Sequence, residues 1–403
     1  MNILFLTISR MDDISKRNIY TDLMRKFRDE GHKVYIISPI ERCFGQPTVL
    51  SVQEEVHILK IKTLNLQKTT LIEKGIGTLL IEYQYLAGAK KYFSKIKFDL
   101  VLYSTPPITF IKVVKAIKKR DVATSYLLLK DIFPQNAVDL GMFKKDTFIH
   151  RYFMKKERRL YDVSDHIGCM SPANVAYILK HNPSVSPQIV EVNPNSLEPI
   201  HTCFSKDAKT EIRLKYGIPV EKSVFVYGGN LGKPQGIDFL IEVLDANKSH
   251  SGSFFVVAGS GTEFSRMNKW FLENRPGNAM LLTNLPQAEY DELVQACDVG
   301  LLFLDARFTI PNYPSRLLSY LEFRIPIIAA TDVNSDVGQM AEHNGYGFWC
   351  QSGDLKSFNE IVDRMTHNEE LVREMGDAGY AYFAENFTVE RSFSTIMKHL
   401  ELP

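Results

Sequence analysis

The chain of 403 residues is longer than the size at which a single hydrophobic core stops growing, so its length predicts two domains of about 200 residues each. With 45% hydrophobic and 24% charged residues the composition is that of an ordinary globular protein, and no apolar run is long enough to cross a bilayer. The net charge of +1 conceals an asymmetry, because residues 1–197 hold 30 Lys and Arg against 19 Asp and Glu, a net +11, whereas residues 198–403 carry a net −10. The basic half indicates an anionic partner, of which nucleic acid is the least favoured because no recognition motif accompanies the charge.

The first residues and the cysteines both predict a reducing compartment. Met1 and Asn2 lead directly into an apolar run, without the basic start or the small-residue cleavage site of a signal peptide, so we expect a cytoplasmic protein. The five cysteines are scattered without the paired spacing of a zinc site, which predicts reduced and mostly buried thiols. The histidines show no ligand spacing either, and the sequence predicts no bound metal and no cofactor.

In the first half, short apolar strands alternate with helical patterns, which predicts a parallel sheet with helices on both faces. Helices are predicted over residues 19–30, ending at Gly31, and over residues 79–96. Residues 185–204 are rich in Pro, Asn and Ser and lack a period, so they are interpreted as the linker. The predicted strands are residues 2–8, 33–38, 56–60, 100–104, 125–129 and 166–170.

The loop after the first strand is a candidate binding site of this half. The loop after the first strand carries Arg10, Lys16 and Arg17, which are candidates for binding phosphate or an anionic acceptor, followed by Asn18 as the cap of the next helix. A solvated basic loop is the alternative.

Lys130 and Asp131 follow a strongly apolar strand and therefore lie at the carboxyl edge of the sheet, where Lys130 is a candidate to bind the acceptor or a phosphate. A carboxylate at that edge is a candidate to accept a proton or to orient a substrate, and Asp131 is the best single catalytic candidate of the chain. The alternative for Asp131 is a cap for the turn that follows.

Residues 143–161 interleave seven Lys and Arg with aromatic and aliphatic residues, and residues 90–97 form a second basic aromatic segment. Together they predict binding to an anionic membrane face. Helices that pack their aromatic side on the sheet and expose a basic face are the alternative.

The second half repeats the alternation of strands and helices. Residues 223–227 predict a buried strand, Gly228 and Gly229 a turn that lets backbone N–H groups approach an anion, and residues 236–244 the helix that follows. This order predicts a phosphate site. The other predicted strands are residues 254–258, 279–282, 299–303, 327–330 and 347–350, followed by helices at residues 355–366 and 368–385 and a segment at residues 387–403 that is expected to cross back to the first domain.

Several motifs coincide in order. They are VYGGNLGKPQG at residues 226–236, FVVAGSG at 255–261, LTNLP at 282–286, ACDVG at 296–300, YPSRLLSYL at 313–321, IPIIA at 325–329 and, in the first half, DIFPQ at 131–135 with LGM at 140–142. In this conjunction the chain resembles, over nearly its whole length, the family 4 retaining GT-B glycosyltransferases that build bacterial capsule and O-antigen polysaccharides.

The resemblance implies an α/β protein of GT-B fold, with two doubly wound Rossmann-like parallel-sheet domains facing a central cleft. Residues 1–197 would bind the acceptor, and residues 198–386 a nucleotide sugar. The donor diphosphate would lie between the glycine turn and the helix that opens at Ser315, with Arg316 and Lys233 neutralising the charge of the leaving group. The remaining donor contacts implied are Gly229, Gly259, Gly261, Asn284, Leu285 and Leu317.

The sequence departs from the family pattern at four positions. Pro311 and Ser319 stand where many members have two glutamates, so the ribose contact would fall to Ser319 or to the nearby Glu322. Asn230 and Gln235 stand where an arginine and a lysine are usual.

The leading hypothesis is a hexosyl- or N-acetylhexosaminyltransferase that moves a sugar from a uridine-linked donor to a polyprenyl-diphosphate-linked glycan at the inner face of the cell membrane. A catalytically inactive GT-B subunit that supports a partner enzyme is the alternative, because both glutamates are missing. A sugar-nucleotide epimerase would need carboxylates and a histidine round the sugar carbon, and the sequence offers no obvious set.

Overall fold

The structure is a computed structural model that describes residues 1–66, 69–200, 204–283 and 285–400. Its chain divides into two compact units, one formed by Met1–Glu198 with Thr388–Pro403 and the other by Pro199–Phe387. The sequence analysis draws these boundaries at 197/198 and 386/387. Among the described residues, no helix combines the length and the apolar character needed to cross a membrane.

Eight strands form the sheet of the first unit. They are β1 (Asn2–Leu6), β2 (Lys33–Glu41), β3 (Val49–Gln53), β4 (Val56–Thr63), β5 (Leu100–Ser104), β6 (Thr124–Leu129), β7 (His166–Cys169) and β8 (Val190–Val192). Their order across the sheet is β3-β4-β2-β1-β5-β6-β7-β8, and only the β3–β4 pair is antiparallel. The helices between them are α1 (Thr21–Asp29), α2 (Leu71–Tyr92), α3 (Ile111–Asp121), α4 (Gln135–Asp139), α5 (Phe148–Val163) and α6 (Pro172–His181).

The central strands of this sheet are buried along nearly their whole length, as in β5, where all five residues are buried. Such continuous apolar runs are typical of parallel strands that are covered on both faces. The core on one face gathers Phe5 of β1, Phe27 of α1 and Leu102 of β5. The predicted α/β architecture of this half is confirmed.

Two strands of the first unit escape the sequence analysis. β8 lies inside the predicted linker, and it extends the sheet by pairing Ile167 with Val190. Pro, Asn and Ser flank its three residues and hide the strand pattern. β3 is an edge strand with exposed Val49 and Val52, so it lacks the burial alternation on which the prediction depends.

Six strands form the entirely parallel sheet of the second unit, in the order β11-β10-β9-β12-β13-β14. The strands are β9 (Ser223–Asn230), β10 (Ser253–Ser260), β11 (Ala279–Leu282), β12 (Val299–Phe303), β13 (Ile327–Thr331) and β14 (Gly347–Gln351). The helices are α7 (Lys206–Tyr216), α8 (Ile237–Ala246), α9 (Phe264–Asn274), α10 (Gln287–Gln295), α11 (Arg316–Glu322), α12 (Val337–His343), α13 (Leu355–Thr366) and α14 (Glu369–Asn386).

The glycines that the sequence analysis assigns to a turn are strand residues. Gly228 and Gly229 continue β9, and β10 accompanies it through the pairs Gly228–Ala258, Gly229–Gly259 and Ser260–Asn230. A side chain on Gly259 would lie 1.9 Å from the carbonyl oxygen of Gly229, so its absence lets the two backbones run on together. The turn therefore begins later, at Leu231, and includes a short 3-10 helix at Lys233–Gln235.

The chain ends in α15 (Val389–Met397), which belongs to the first unit. Ile396 is fully buried in the core of that unit, and Phe393 packs edge-on against Phe27 with 5.0 Å between the ring centroids. The Val389 N–H donates to the carbonyl of Leu197 over 3.0 Å. The last helix thus completes the core that the first strands begin.

Candidate functional site

The candidate site of the second unit is built round the carboxyl end of β9. Gly229 has a φ of +116°, a conformation that side-chain-bearing residues rarely adopt. A Cβ built on it would lie 3.3 Å from Nη2 of Arg316, so the guanidinium lies directly against this backbone. The structure therefore brings together Gly229 and Arg316, which the sequence analysis assigns to one phosphate site.

Arg316 is largely buried, and its Nη1 is buried without a hydrogen-bond partner. The guanidinium lies over the ring of Tyr227, with 4.5 Å between Cζ and the ring centroid. None of the ion pairs within residues 1–66, 69–200, 204–283 and 285–400 includes Arg316. A buried cation without a carboxylate is costly, and an anionic ligand is the group that would satisfy it.

Three tyrosines from separate elements hold this end of β9, and the sequence analysis does not assign a role to them. The Tyr320 hydroxyl accepts a hydrogen bond from the Gly228 N–H and donates one to the Val226 carbonyl, each over 3.1 Å. The Tyr290 hydroxyl occupies the space that a side chain on Gly228 would need. We call Tyr227, Tyr290 and Tyr320 the tyrosine cage.

Two members of the cage, Tyr290 and Tyr320, are uncharged near pH 7. Burial raises the pKa of Tyr290 to about 12 and raises the pKa of Tyr320 well above its ordinary value. The tyrosines thus surround Arg316 without neutralising it. The only sequence signal for the cage is the spacing of Arg316 and Tyr320, four residues apart on one helix face.

The turn after β9 carries a neutral amide pair. The Asn230 Nδ2 donates to Gln235 Oε1 over 3.0 Å, at the two positions where relatives are expected to have an arginine and a lysine. Lys233 lies on the 3-10 helix between them with an exposed side chain. It is available to a ligand, but no contact in the described part of the chain holds it towards Arg316.

The start of α11 differs from its predicted role. Ser315 precedes the helix, but its side chain makes no capping hydrogen bond. The Leu317 N–H, predicted to be free for phosphate, donates to the carbonyl of Pro314 over 3.2 Å because the first turn is closed tightly. The Leu317 N–H is therefore already bonded within the chain, so its predicted contact with a phosphate is weakened.

The predicted ribose contact divides between two residues with different surroundings. Glu322 is buried, and its carboxylate accepts a hydrogen bond of 2.8 Å from the backbone N–H of Ile200. This side chain holds the segment at the start of the unit, so its assignment to ribose is not supported. Ser319 lies on the same helix and is half-buried.

The remaining predicted donor contacts lie at neighbouring strand ends. Gly259 ends β10 beside Gly229, and Gly261 lies one residue beyond that strand against the Leu231 carbonyl. Leu285 follows β11, whereas Asn284 lies outside the described residues. Carboxyl ends of parallel strands meet at one sheet edge, which is where such sheets bind ligands.

In the first unit, Asp131 follows β6 and is held by a local network. Asn136 Nδ2 donates to both carboxylate oxygens, over 2.7 and 2.8 Å, and the Thr105 hydroxyl accepts from the Asp131 N–H over 3.2 Å. Burial raises the pKa of Asp131 to about 6, although the Asn136 hydrogen bonds oppose the shift. The carboxylate also accepts a hydrogen bond from the Ile132 backbone N–H, in the turn that the alternative role of Asp131 expects it to cap, although it does not cap α4.

Lys130 turns away from Asp131. Its Nζ donates to the carbonyl of Asn193 over 3.3 Å, and burial lowers the pKa of this lysine to about 7. Its predicted role as an acceptor or phosphate ligand is thus weakened, because the amine is buried and its charge is reduced near neutral pH.

The basic loop after β1 is largely occupied by internal contacts. Arg10 pairs with Asp12 over 2.5 Å, and Arg17 donates to the Glu198 carbonyl over 3.0 Å. Asn18 Oδ1 accepts from the N–H groups of Tyr20 and Thr21 and so caps α1 as predicted. Arg10 and Lys16 are both exposed, but Arg10 is already paired with Asp12, so the predicted phosphate role of Arg10 and of Arg17 is weakened.

The sequence of the second unit matches a known family. Residues 208–382 match the model described as glycosyl transferases group 1. Residues 208–382, which lie within the second unit, therefore form a glycosyl transferases group 1 domain, and the two α/β units have the GT-B fold.

Individual relatives agree with this class. The probable glycosyltransferase WbjE of Pseudomonas aeruginosa is 22% identical over 322 residues, which cover 79% of this chain and 78% of the relative. HepE of Anabaena, solved with UDP-glucose, is similar in fold with a TM-score of 0.70 and 14% identity over 99% of both chains. WaaG, a glycosyltransferase involved in lipopolysaccharide biosynthesis, has a TM-score of 0.66 and 13% identity over 98% of this chain and 99% of its own.

Proposed function

We propose that the protein is a retaining glycosyltransferase that moves a hexosyl or N-acetylhexosaminyl group from a UDP-linked donor to a hydroxyl of a lipid-linked glycan. The product would serve bacterial surface polysaccharide of the capsule or O-antigen type. The observation that carries the proposal is Arg316, a buried guanidinium without a carboxylate, set against the Gly229 backbone. Support for the donor comes from HepE, which was solved with UDP-glucose, and support for the glycan class comes from WaaG.

The chemistry of the site follows from the charge that develops on the leaving group. When the bond from the anomeric carbon to the diphosphate oxygen breaks, negative charge grows on the diphosphate, and Arg316 stabilises it. The tyrosine cage fixes the guanidinium before the reaction, so little reorganisation is needed. Lys233 is proposed as a second cation that moves to the diphosphate when the donor binds.

Asp131 is proposed to act on the acceptor. Its carboxylate would accept the proton of the attacking hydroxyl as the new glycosidic bond forms, and the diphosphate would leave as the anion that Arg316 stabilises. The Asn136 amide keeps both carboxylate oxygens oriented. We propose that no metal ion takes part, with Arg316 supplying the positive charge.

The proposal is tested by incubating the purified protein with uridine, guanosine and thymidine sugars and following nucleotide release and products by mass spectrometry. Turnover of a UDP-sugar, with the anomeric configuration of the product unchanged by NMR, is expected. Preference for another nucleotide would overturn the assignment of a UDP-linked donor. Inversion of the anomeric configuration would overturn the retaining mechanism.

A catalytically inactive subunit is the second candidate. Pro311 and Ser319 stand at the positions of the two expected carboxylates, and Glu322 is committed to the Ile200 N–H. Calorimetry of UDP binding, combined with a turnover assay, separates the two functions. Binding of UDP without turnover of any donor, in the presence of polyprenyl-diphosphate glycans, favours the inactive subunit.

A further inference from the structure

An apolar stripe runs along the outer face of α2 in the first unit. Ile76, Leu79, Leu80 and Tyr83 follow the i, i+3, i+4, i+7 spacing of one helix face. All four are exposed, Ile76 by 48%, Leu80 by 42% and Tyr83 by 54%. The helix turns its other side to the sheet, where Ile81 and Tyr85 are fully buried. The exposed apolar stripe is therefore a second apolar face of α2, and it does not contribute to the core of the first unit.

The first turn of α5 adds to the stripe. Phe148 is exposed by 82%, and Ile149 and Tyr152 are exposed beside it. The rest of α5 packs inward through Leu160 and Tyr161. Residues 143–161 are predicted to bind an anionic membrane face, and among the large apolar side chains of α5 the structure exposes those of its first turns.

Lysines connect the two helices into one surface. Lys112 Nζ lies 3.9 Å above the ring of Tyr83 and is close enough to Tyr152 to interact with it electrostatically. Lys156 Nζ lies 3.4 Å from Glu82 Oε2 of α2 and 5.9 Å from the ring centroid of Tyr152. We call the exposed residues Ile76, Leu79, Leu80, Tyr83, Phe148, Ile149 and Tyr152 the apolar ridge.

A basic groove borders the ridge. It lies between α3 and α5 and encloses about 840 Å³. Its lining contains five cations and one carboxylate, Lys112, Lys115, Lys118, Lys119, Arg159 and Asp162. Lys118 is paired with Asp165, and Lys112 belongs to both the groove and the edge of the ridge. The groove therefore presents an excess of positive charge beside apolar side chains.

We infer that the apolar ridge and the basic groove together form a docking surface for a bilayer that contains anionic lipids. Apolar side chains would enter the boundary between headgroups and acyl chains, and the lysines would bind the headgroup phosphates. A second copy of the chain fits less well, because two such basic surfaces repel each other. The inference rests on the proposed function for the membrane-bound acceptor, but its test does not use turnover.

The test is flotation of the full chain with vesicles of phosphatidylcholine alone or with an equimolar share of phosphatidylglycerol. We expect binding to the anionic vesicles, weakened by salt. The double variant Leu80→Ser, Phe148→Ser and the double variant Lys115→Glu, Lys119→Glu should each reduce the partition coefficient at least about tenfold.

Matched controls come from the second unit. Leu214→Ser with Leu272→Ser removes two leucines that are each 66% exposed on helices, and Lys269→Glu with Lys356→Glu repeats the charge change on exposed lysines. Both controls should bind vesicles like the wild type, and thermal unfolding should show that all variants fold.

Several outcomes overturn the inference. Wild-type protein that stays with neither type of vesicle, or ridge variants that float like the controls, exclude the lipid surface. A dimer in sedimentation velocity that the ridge variants dissociate would assign the ridge to a second copy. UDP affinity, measured on the same samples, reports separately on the donor site, so loss of vesicle binding with intact UDP binding leaves the proposed transferase activity standing.

Discussion

The guanidinium of Arg316 stacks on the ring of Tyr227, and both residues flank the glycine pair that ends β9. An aromatic ring carries no formal charge, so a cation on its face is not neutralised, whereas a carboxylate partner would cancel the charge of the cation. The proposed donor site thus offers an uncompensated positive charge to an anionic ligand.

Removing this charge should abolish most of the activity. Arg316→Ala is expected to lower turnover by about 100-fold or more, the loss expected when a transition-state charge partner is removed. Arg364→Ala is the control, because Arg364 also lies over an aromatic ring of the second unit, that of Phe348, at 4.6 Å. Equal rates of UDP release for the wild type and Arg316→Ala would show that Arg316 does not take part in the reaction.

Replacing the ring under the guanidinium should act on affinity. Tyr227→Leu removes a cation–π contact of about 0.5–2 kcal/mol and is expected to weaken UDP binding by several-fold in calorimetry. Tyr227→Phe keeps the ring and should bind nearly as tightly as the wild type. Comparable weakening in both variants would assign the effect to the hydroxyl, which donates to the Asn230 carbonyl over 2.8 Å.

A methyl group on Gly229 should disturb the site more than the fold. Gly229→Ala strains a backbone with φ of +116° and presses on Arg316, so UDP affinity should fall by about tenfold or more. Gly353→Ala imposes similar strain, with φ of +98°, but meets no atom within 4 Å. Both variants should lose similar stability in urea denaturation, and only the first should lose affinity. Wild-type affinity in Gly229→Ala would contradict the proposed contact between diphosphate and backbone.

Asp131 should give both activity and stability a dependence on pH. Its pKa is raised from 3.8 to about 6, so the folded state holds the proton more tightly than the unfolded state. This contribution to stability is complete below about pH 4 and is lost as the pH rises through about 6. Asp131→Asn should remove that dependence in urea denaturation at several pH values.

Turnover should change in the opposite direction, because only the ionised carboxylate accepts a proton. We expect the rate to fall as the pH drops below about 6, and this acid limb to vanish in Asp131→Asn together with most of the activity. Asn136→Ala removes the hydrogen bonds that oppose the shift, so it should move the limb to higher pH. An unaltered limb in Asn136→Ala would mean that another group titrates.

Chelation of divalent cations should leave the reaction unaffected. Because Arg316 is proposed to supply the positive charge at the diphosphate, treatment with EDTA is expected to preserve the rate of UDP release. Activity that disappears with EDTA and returns with Mg²⁺ would contradict this mechanism.

The sequence predicts the strands that appear as short apolar runs. It does not predict a strand that forms only because a neighbouring strand pairs with it. β5, β11 and β12 have the predicted bounds because polar residues enclose short apolar runs. β8 is strand only because β7 lies beside it, which no local pattern reveals. The extension of β9 through Gly228 and Gly229 depends in the same way on β10.

The residues of the candidate site divide in the same way, into those that sequence motifs predict and those that only the fold brings together. Gly229 and Arg316 are predicted together through motifs, and the structure places them in contact. The tyrosine cage could not be predicted as a unit, because Tyr227, Tyr290 and Tyr320 come from a strand and two different helices. Glu322 shows the converse error, since its partner is a backbone N–H more than a hundred residues away in sequence.

The return of α15 to the first unit has a consequence for biosynthesis. On the ribosome, the groove beside Phe27 stays open until Phe393 and Ile396 have been translated, so the half of the protein that is made first is finished last. A nascent chain that stops after Phe387 lacks α15, so it would leave apolar core residues of the first unit exposed. Chaperones would then bind the N-terminal half although the missing residues belong to the C-terminus.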